Sequence, residues 1–366
     1  MRSRSGSRHH LYIKTEAHPR IEVLKGLGPG ARTSTIPCQV SGRVVKRDFC
    51  TRILFFGLLL CWRPSPASPS DCTIEVLAKM RTATPLSVLA LVASAAADCN
   101  GKAEYCDRKY SQITFSGSHN SGFVGVGPSD NQLTSVSAQL DQGIRFLTTQ
   151  THDKDGVIQM CHTSCDLLDA GPLQDYLGTV KTWIDGHPDE VVTLLITNED
   201  AIDITKFDDA FKSAGLDSYT FTPSGQLGLD DWPTLGDLIS SGNRVVVFMD
   251  YHSDTGKVPY ILDEFAYYFE TPFDPKEDQL SGCNIDRPAG ASADGRLILA
   301  NHNRNYEVLG VDLPDLANAG DTNSVPSITA QTDTCKAQHG RVPNVVLLDY
   351  VSLGDVINAQ SQLNGV

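Results

Sequence analysis

"VVTLLIT", residues 191–197, is a short unbroken apolar run, and its reading decides the fold. A strand with one wet face would alternate apolar and polar residues. A continuous Val, Ile and Leu run, too short for a helix, suits a strand covered on both faces, as in a parallel sheet. Similar runs recur as "QITF" (112–115), "GIRFLTTQTH" (143–152), "RVVVFMDY" (244–251), "RLILANH" (296–302) and "NVVLLDY" (344–350). The weaker "SYTF" (218–221) and "FAYYFE" (265–270) bring the number to eight. Between them lie helix patterns at 131–142, 172–187, 204–215 and 235–242. This β/α order predicts an α/β fold, a single-domain (β/α)8 barrel of the TIM type, with an open doubly wound sheet as the alternative. The stretches 272–294 and 314–343 carry many Pro, Gly, Asp and Asn and read as loops.

The barrel pattern occupies residues 98–366, and what precedes it has another character. "MRTATPLSVLALVASAAADC" (80–99) places an arginine, an apolar run and small residues in the order of a secretory signal peptide, with cleavage expected after Ala97. A signal peptide does not belong 80 residues into a chain. The economical reading makes Met80 the true start and residues 1–79 a gene-model extension. The rival is an N-terminal anchor built on "ILFFGLLLCW" (53–62), ten residues that are too few to span a bilayer.

Of 30 Lys+Arg and 44 Asp+Glu, 14 and 5 respectively precede residue 98, so the barrel region carries a net charge of −23. Such a surface repels nucleic acid and anionic membranes. Six of the ten cysteines remain there: an even count that reads, in a secreted chain, as three disulfides. Fifteen connectivities are possible; the expected one is Cys99–Cys106, Cys161–Cys165 and Cys283–Cys335, the last joining the two long loops.

In a parallel barrel, reactive groups come from the C-terminal ends of strands. Here those ends carry His119 and Asn120, Gln150 and His152, Asn198, Glu199 and Asp200, Asp250, Asn301 and His302, and Asp349, with His162 in "MCHTSC" shortly after the second strand. "ITFSGSHNS" followed by "QLDQGIRFL", "CH", "HPDEVVTLLI", "NIDRP" and "PNVVLLDY" resembles the X-domain barrel of phosphatidylinositol-specific phospholipase C, in particular its secreted, fungal-type phosphodiesterase-like branch. The resemblance implies cleavage of a phosphodiester in an inositol lipid or related glycerophosphodiester. His119 matches the general base, His162 the general acid and Asp349 the carboxylate that orients the base. Such acid–base work is typically worth ~10²–10⁴-fold in rate.

The resemblance also implies a positive charge against the phosphoryl group. That charge is Ca²⁺ in the eukaryotic relatives, held by an asparagine and carboxylates, and an arginine in the bacterial ones. Asn120 matches the calcium-type asparagine, yet the strand-end positions that should be charged read Thr148, Gln150 and Thr197. Neutral oxygens hold Ca²⁺ poorly. Glu199, Asp200 or Asp250 could supply carboxylates, or a protonated His152, two residues beyond Gln150, could act as the cation. The competing function is a non-catalytic barrel that binds a phosphorylated or sugar-like ligand. A charged centre within reach of His119 and His162 favours the enzyme, a neutral one the binder.

The remaining features have plainer readings. "CHTSC" lacks a fourth zinc ligand and reads as a disulfide loop. "GFVGVG" (122–127) has no P-loop lysine and reads as a loop over the site. Trp183 and Trp232 pack, and His187 and His302 are surface or packing residues. The expected chain is a secreted monomer whose partner is a small or lipid phosphodiester; no hydrophobic rim for membrane docking is evident in the sequence, and any transient membrane contact would draw on aromatics such as Tyr267 and Tyr268.

Overall fold

Eight short strands run parallel in one curled sheet: β1 (Phe115–Ser118), β2 (Phe146–Thr149), β3 (Val192–Ile196), β4 (Val245–Met249), β5 (Ile261–Asp263), β6 (Tyr268–Glu270), β7 (Leu297–Asn301) and β8 (Val345–Leu348). The structure is a computed structural model whose described residues are 98–366, with the backbone of an antiparallel pair, Leu60–Pro64 and Cys72–Val76, in a separate unit. The signal-peptide reading of 80–97 and the rest of 1–79 lie outside the described residues. No helix among the described residues is long and apolar enough to cross a membrane.

The sheet order is β5-β4-β3-β2-β1-β8-β7-β6, so the ring is hydrogen-bonded everywhere except at a seam between β5 and β6. The strands bury both faces, and their side chains alternate between two cores. Val246 and Phe248 point inward with Leu195, Val345 and Leu347, while Val245, Val247 and Met249 pack outward with Leu194, Ile196 and Val346. Gly117 is needed on the inner face of β1, because a Cβ there would lie 3.0 Å from both Leu347 and Val345. Tyr110 plugs the base: its ring stacks on Trp232 at 4.7 Å and its hydroxyl bonds Thr193 at 2.8 Å.

Helices α2 (Leu173–Gly186), α3 (Ile204–Ala214) and α4 (Leu235–Ser241) match the sequence expectations, while α1 (Val136–Gln142) starts five residues later than expected, after its Ser135 cap. In α2 the buried set Leu173, Tyr176, Leu177, Val180, Trp183 and Ile184 repeats at helical spacing. Asp203 caps α3, and Thr234 with Asp237 form a capping box on α4.

Five expectations need correction. "QITF" starts at the end of a 3-10 turn (Tyr110–Gln112) and shares only Phe115 with the first strand, Phe115–Ser118. "SYTF" is a 3-10 turn with a single bridge from Thr220 to Val245, and the strand in that part of the ring is Ile261–Asp263. "FAYYFE" divides into a one-turn helix, α5 (Glu264–Tyr267), and β6. Tyr267 and Tyr268 are buried in the inner core, not available to a membrane. The stretch 314–343 is mostly helical, with α6 (Ala319–Thr322) and the 15-residue α7 (Val325–His339) ahead of α8 (Val356–Asn364).

The expected disulfides Cys99–Cys106, Cys161–Cys165 and Cys283–Cys335 are all present. Two insertions stand on the C-terminal face. After β2 comes a three-stranded antiparallel sheet of Thr151–Lys154, Val157–Cys161 and Asp169–Pro172. After β7 comes a hairpin of Asn305–Val308 and Val311–Pro314.

Candidate active site

His119 follows β1 directly. Its backbone N–H donates to the Leu348 carbonyl at 2.9 Å, and its own carbonyl accepts from the Gln132 side chain at 2.8 Å. These two bonds anchor the ring. Nδ1 lies 2.9 Å from Oδ1 of Asp349, which closes β8 and is buried. A carboxylate only accepts, so Nδ1 carries the proton and Nε2 keeps its lone pair. Asn131 donates to the same Asp349 oxygen at 2.9 Å, and the amides of Asn131 and Asn303 approach Nδ1 at 3.4 and 3.3 Å. Burial disfavours the imidazolium, but Asp349, then Asp274 and Glu270, outweigh it and raise the His119 pKa.

His119 opens on a cavity of about 380 Å³ floored by Leu195 and Leu347 from the inner core. Asn120, Thr148, Gln150, Thr197, Glu199 and Asp250 line it, as the sequence suggested. Asn120 sits in left-handed backbone (φ 48°), which asparagine tolerates, and its N–H donates to Oγ1 of Thr148 at 2.8 Å. Its side-chain nitrogen is buried without a partner beside the cavity. Gln150 accepts from the Thr163 N–H at 2.9 Å. Asp250 accepts from the N–H groups of Asn198 and Tyr251 at 2.8 and 2.7 Å, yet burial pushes its pKa up to about 6.

His162 lies in the Cys161–Cys165 loop and, like His152, is not among the cavity-lining residues, though its neighbour Thr163 is. Its ring meets Phe123 edge-on at 5.3 Å, and its Nδ1 is buried without a partner. Burial first, then His119, pulls its pKa down to about 4, so it is neutral at pH 7. His152 belongs to the inserted sheet, bonded to Asp200 at 3.1 Å, and is not among the cavity-lining residues. The strand breaks at Gln150, so spacing of two does not carry His152 onto the same face. His302 is fully buried, bonded to Gln331 at 2.7 Å. Trp183 and Trp232 are packed, and His187 stacks on Trp183 at 3.8 Å.

The cavity holds a cation that motif reading left without a role. Arg287, in "NIDRP", lines it from the loop between β6 and β7. Its Nε and Nη2 donate to Oε2 of Glu270, which is buried at the end of β6, and its guanidinium lies over Phe273 at 4.8 Å. Glu264 of α5, also cavity-lining, is 1% exposed and shares a side-chain hydrogen bond with Glu270. Burial, then the neighbouring Glu270, raises its pKa well above the usual range, so it holds a proton. Arg287 outweighs burial at Glu270 and keeps that carboxyl ionised. Glu264 and Asp274 stand at no predicted strand end, and Glu270, although it closes "FAYYFE", lies in one of the weakest strand patterns, so none of the three was singled out.

These residues do not fit Ca²⁺. Among the described residues no three His, Cys, Asp or Glu side chains are placed to hold a metal ion. Asn120 faces neutral Thr148, and Glu270 is bound to Arg287. The positive charge in the cavity is the guanidinium.

The family model "PI-PLC X 1" matches residues 105–364. "PI-PLC X domain-containing protein 1" of Arthroderma benhamiae is 54% identical over 273 residues, covering 73% of this chain and 90% of that protein. An uncharacterized secreted protein of the same organism is 44% identical over 270 residues, covering 70% of this chain and 61% of its own length, so the chain spans under two thirds of it. Among solved structures, phosphatidylinositol-specific phospholipase C from Listeria monocytogenes is similar at a TM-score of 0.49 and 13% identity, over 71% of this chain and 94% of that one. The match along most of residues 98–366 settles the lineage: this chain belongs to the PI-PLC X domain family.

Proposed function

We propose that this protein cleaves the phosphodiester of an inositol lipid or a related glycerophosphodiester outside the cell. The observation that carries the reading is one cavity lined by both His119, which Asp349 orients, and Arg287. Nε2 of His119 takes the proton from a substrate hydroxyl as its oxygen bonds to phosphorus. Arg287 faces the charge that gathers on the phosphoryl oxygens, since a guanidinium has five N–H donors and Glu270 occupies only part of them. The bond from phosphorus to the departing alkoxide breaks, and His162 returns a proton to that oxygen. His162 is neutral in the free protein, so the bound phosphate anion must raise its pKa for this step. Secretion is supported by three disulfides and by the secreted relative.

The second reading, a barrel that binds a phosphorylated or sugar-like ligand without turnover, is favoured by neutral Thr148, Gln150 and Thr197 and by the acidic wall around Arg287. The test is turnover of phosphatidylinositol and of glycerophosphodiesters, with and without chelator, beside His119→Ala and Arg287→Gln. Product formation that survives chelator and is lost in both variants establishes the enzyme. Ligand binding without product from a folded wild type establishes the binder.

A further inference from the structure

Glu270 holds Arg287 by backbone and side chain together. Its N–H donates to the Arg287 carbonyl at 2.8 Å, and its Oε2 accepts from Nε at 3.2 Å and from Nη2. The guanidinium lies 4.8 Å from the centre of the Phe273 ring and 5.8 Å from that of Phe265, so its polar reach is within its own plane. One edge of that plane is taken by Glu270. Among the described residues nothing accepts from Nη1, which leaves that edge for a ligand in the cavity that Arg287 lines.

Keeping Nη1 open is not automatic. A carboxylate has two oxygens, and a fork that engages both is the favoured arrangement with arginine. Here Oε2 of Glu270 takes the Asn301 amide as well, at 3.2 Å, and the carboxyl shares a further hydrogen bond with Glu264. Two carboxylates cannot bond each other in this way, because both only accept; one member must carry a proton. Glu270 has the guanidinium, so the proton belongs to Glu264, which is 1% exposed. The surrounding charge agrees: Glu270 on β6 and Asp250 after β4 both oppose ionisation at Glu264, and burial outweighs the pull of Arg287.

We propose that Glu264, as an uncharged acid, is the positioning residue for Arg287. The hydrogen bond it donates occupies acceptor capacity of Glu270 that would otherwise draw in the rest of the guanidinium, and Nη1 stays available to a phosphodiester anion. The charge balance of the cavity adds to this. Glu199, Asp250, Glu270 and Asp274 line it beside that single guanidinium, so one more carboxylate at position 264 would repel the ligand that Arg287 attracts. This role rests on the phosphodiesterase reading, and it falls to a residue that the proposed reaction leaves unused.

The test uses the full chain carrying His119→Ala, so that bound diester is not turned over, as the parent of Glu264→Gln and Glu264→Leu. The first readout is infrared, at pH 8, where Asp250 is ionised. The parent minus Glu264→Gln spectrum should show the carbonyl stretch of a protonated carboxylic acid, which a carboxylate lacks. The second is calorimetric affinity for glycerophosphoinositol, a soluble diester of fixed charge. Glu264→Gln, which can still donate to Glu270, should bind roughly tenfold more tightly than Glu264→Leu, which cannot, as expected for a hydrogen bond to a charged group. Adding Arg287→Gln to both should abolish that difference, because the effect acts through the guanidinium. No acid band from Glu264, equal affinity of the two variants, or a difference that survives Arg287→Gln overturns the proposal; the band is decisive even where Glu264→Leu fails to fold. Absence of binding by every form, the parent included, removes the phosphodiesterase reading and this role with it, whereas binding by the parent without the band removes the role alone.

Discussion

His119 and Asp349 illustrate how one contact sets both charge and tautomer. Asp349→Asn should lower turnover by about 10² or more while leaving substrate affinity nearly unchanged, because the ring loses its preferred tautomer rather than its place. The pair also affects stability, and the sign is fixed by the raised His119 pKa. Its contribution is fully present below the unfolded value of about 6.5 and is lost as pH rises through the folded one, so the thermal melts of wild type and Asp349→Asn should differ most at about pH 5–6.5 and draw together in alkali. Asp250 works in the opposite sense. A carboxyl raised to about 6 costs stability once it ionises, and the amide oxygen of an asparagine in its place would still accept both backbone N–H bonds. Asp250→Asn should therefore raise stability at pH 8 by roughly 1–3 kcal/mol, with little effect at pH 4. Urea melts at the two values check this; an equal gain at both would refute the charge argument.

Among the elements, the Cys283–Cys335 bridge ties the loop bearing Arg287 to α7 across 52 residues. Replacing both cysteines with alanine should cost about 2–5 kcal/mol and reduce turnover more than substrate binding, measured by melts and initial rates. The same helix shows what the sequence hid. Its buried positions Ile328, Gln331, Thr332 and Cys335 keep helical spacing, but two are polar, so no apolar stripe announces α7. Its ends are ordinary: Ser324 accepts from Ser327, Pro326 falls in the first turn, and Gly340 ends the helix in left-handed backbone, but the same residue types made the stretch read as loop. β5 was missed for a related reason, since three residues offer no period to read. His119, Asn120 and Asp349 could be picked out because each follows a predicted strand inside a motif that carries the family resemblance. Arg287 could not be given its place, because the path of a loop through space is not written in local pattern.

At the scale of the whole molecule, backbone strain concentrates on one face. Of the nine non-glycine residues at positive φ among the described residues, all but Asn100 lie in segments after strand C-termini, including Asn120, Asp274, Leu309 and Tyr350. The base is closed by stacked aromatics and ordinary helix caps, so stability is concentrated there and chemistry at the opposite end. Amide hydrogen exchange should follow that division, with β3 and β4 the most protected and the three-residue β5 and β6 beside the seam less so. Equal protection around the ring would show that the seam is closed in solution.

A ring with a seam has two free sheet edges, and a free edge is a template on which another chain can add strands. Here each edge is three residues long, and at β6 the template is already taken: Glu270 donates its N–H to the Arg287 carbonyl at 2.8 Å and accepts from Asp286 at 2.9 Å. The loop that carries the guanidinium into the cavity thus also insulates the sheet against polymerisation. Shortening it would remove the cation and bare the edge in one step, and an inactive variant of that kind should also aggregate.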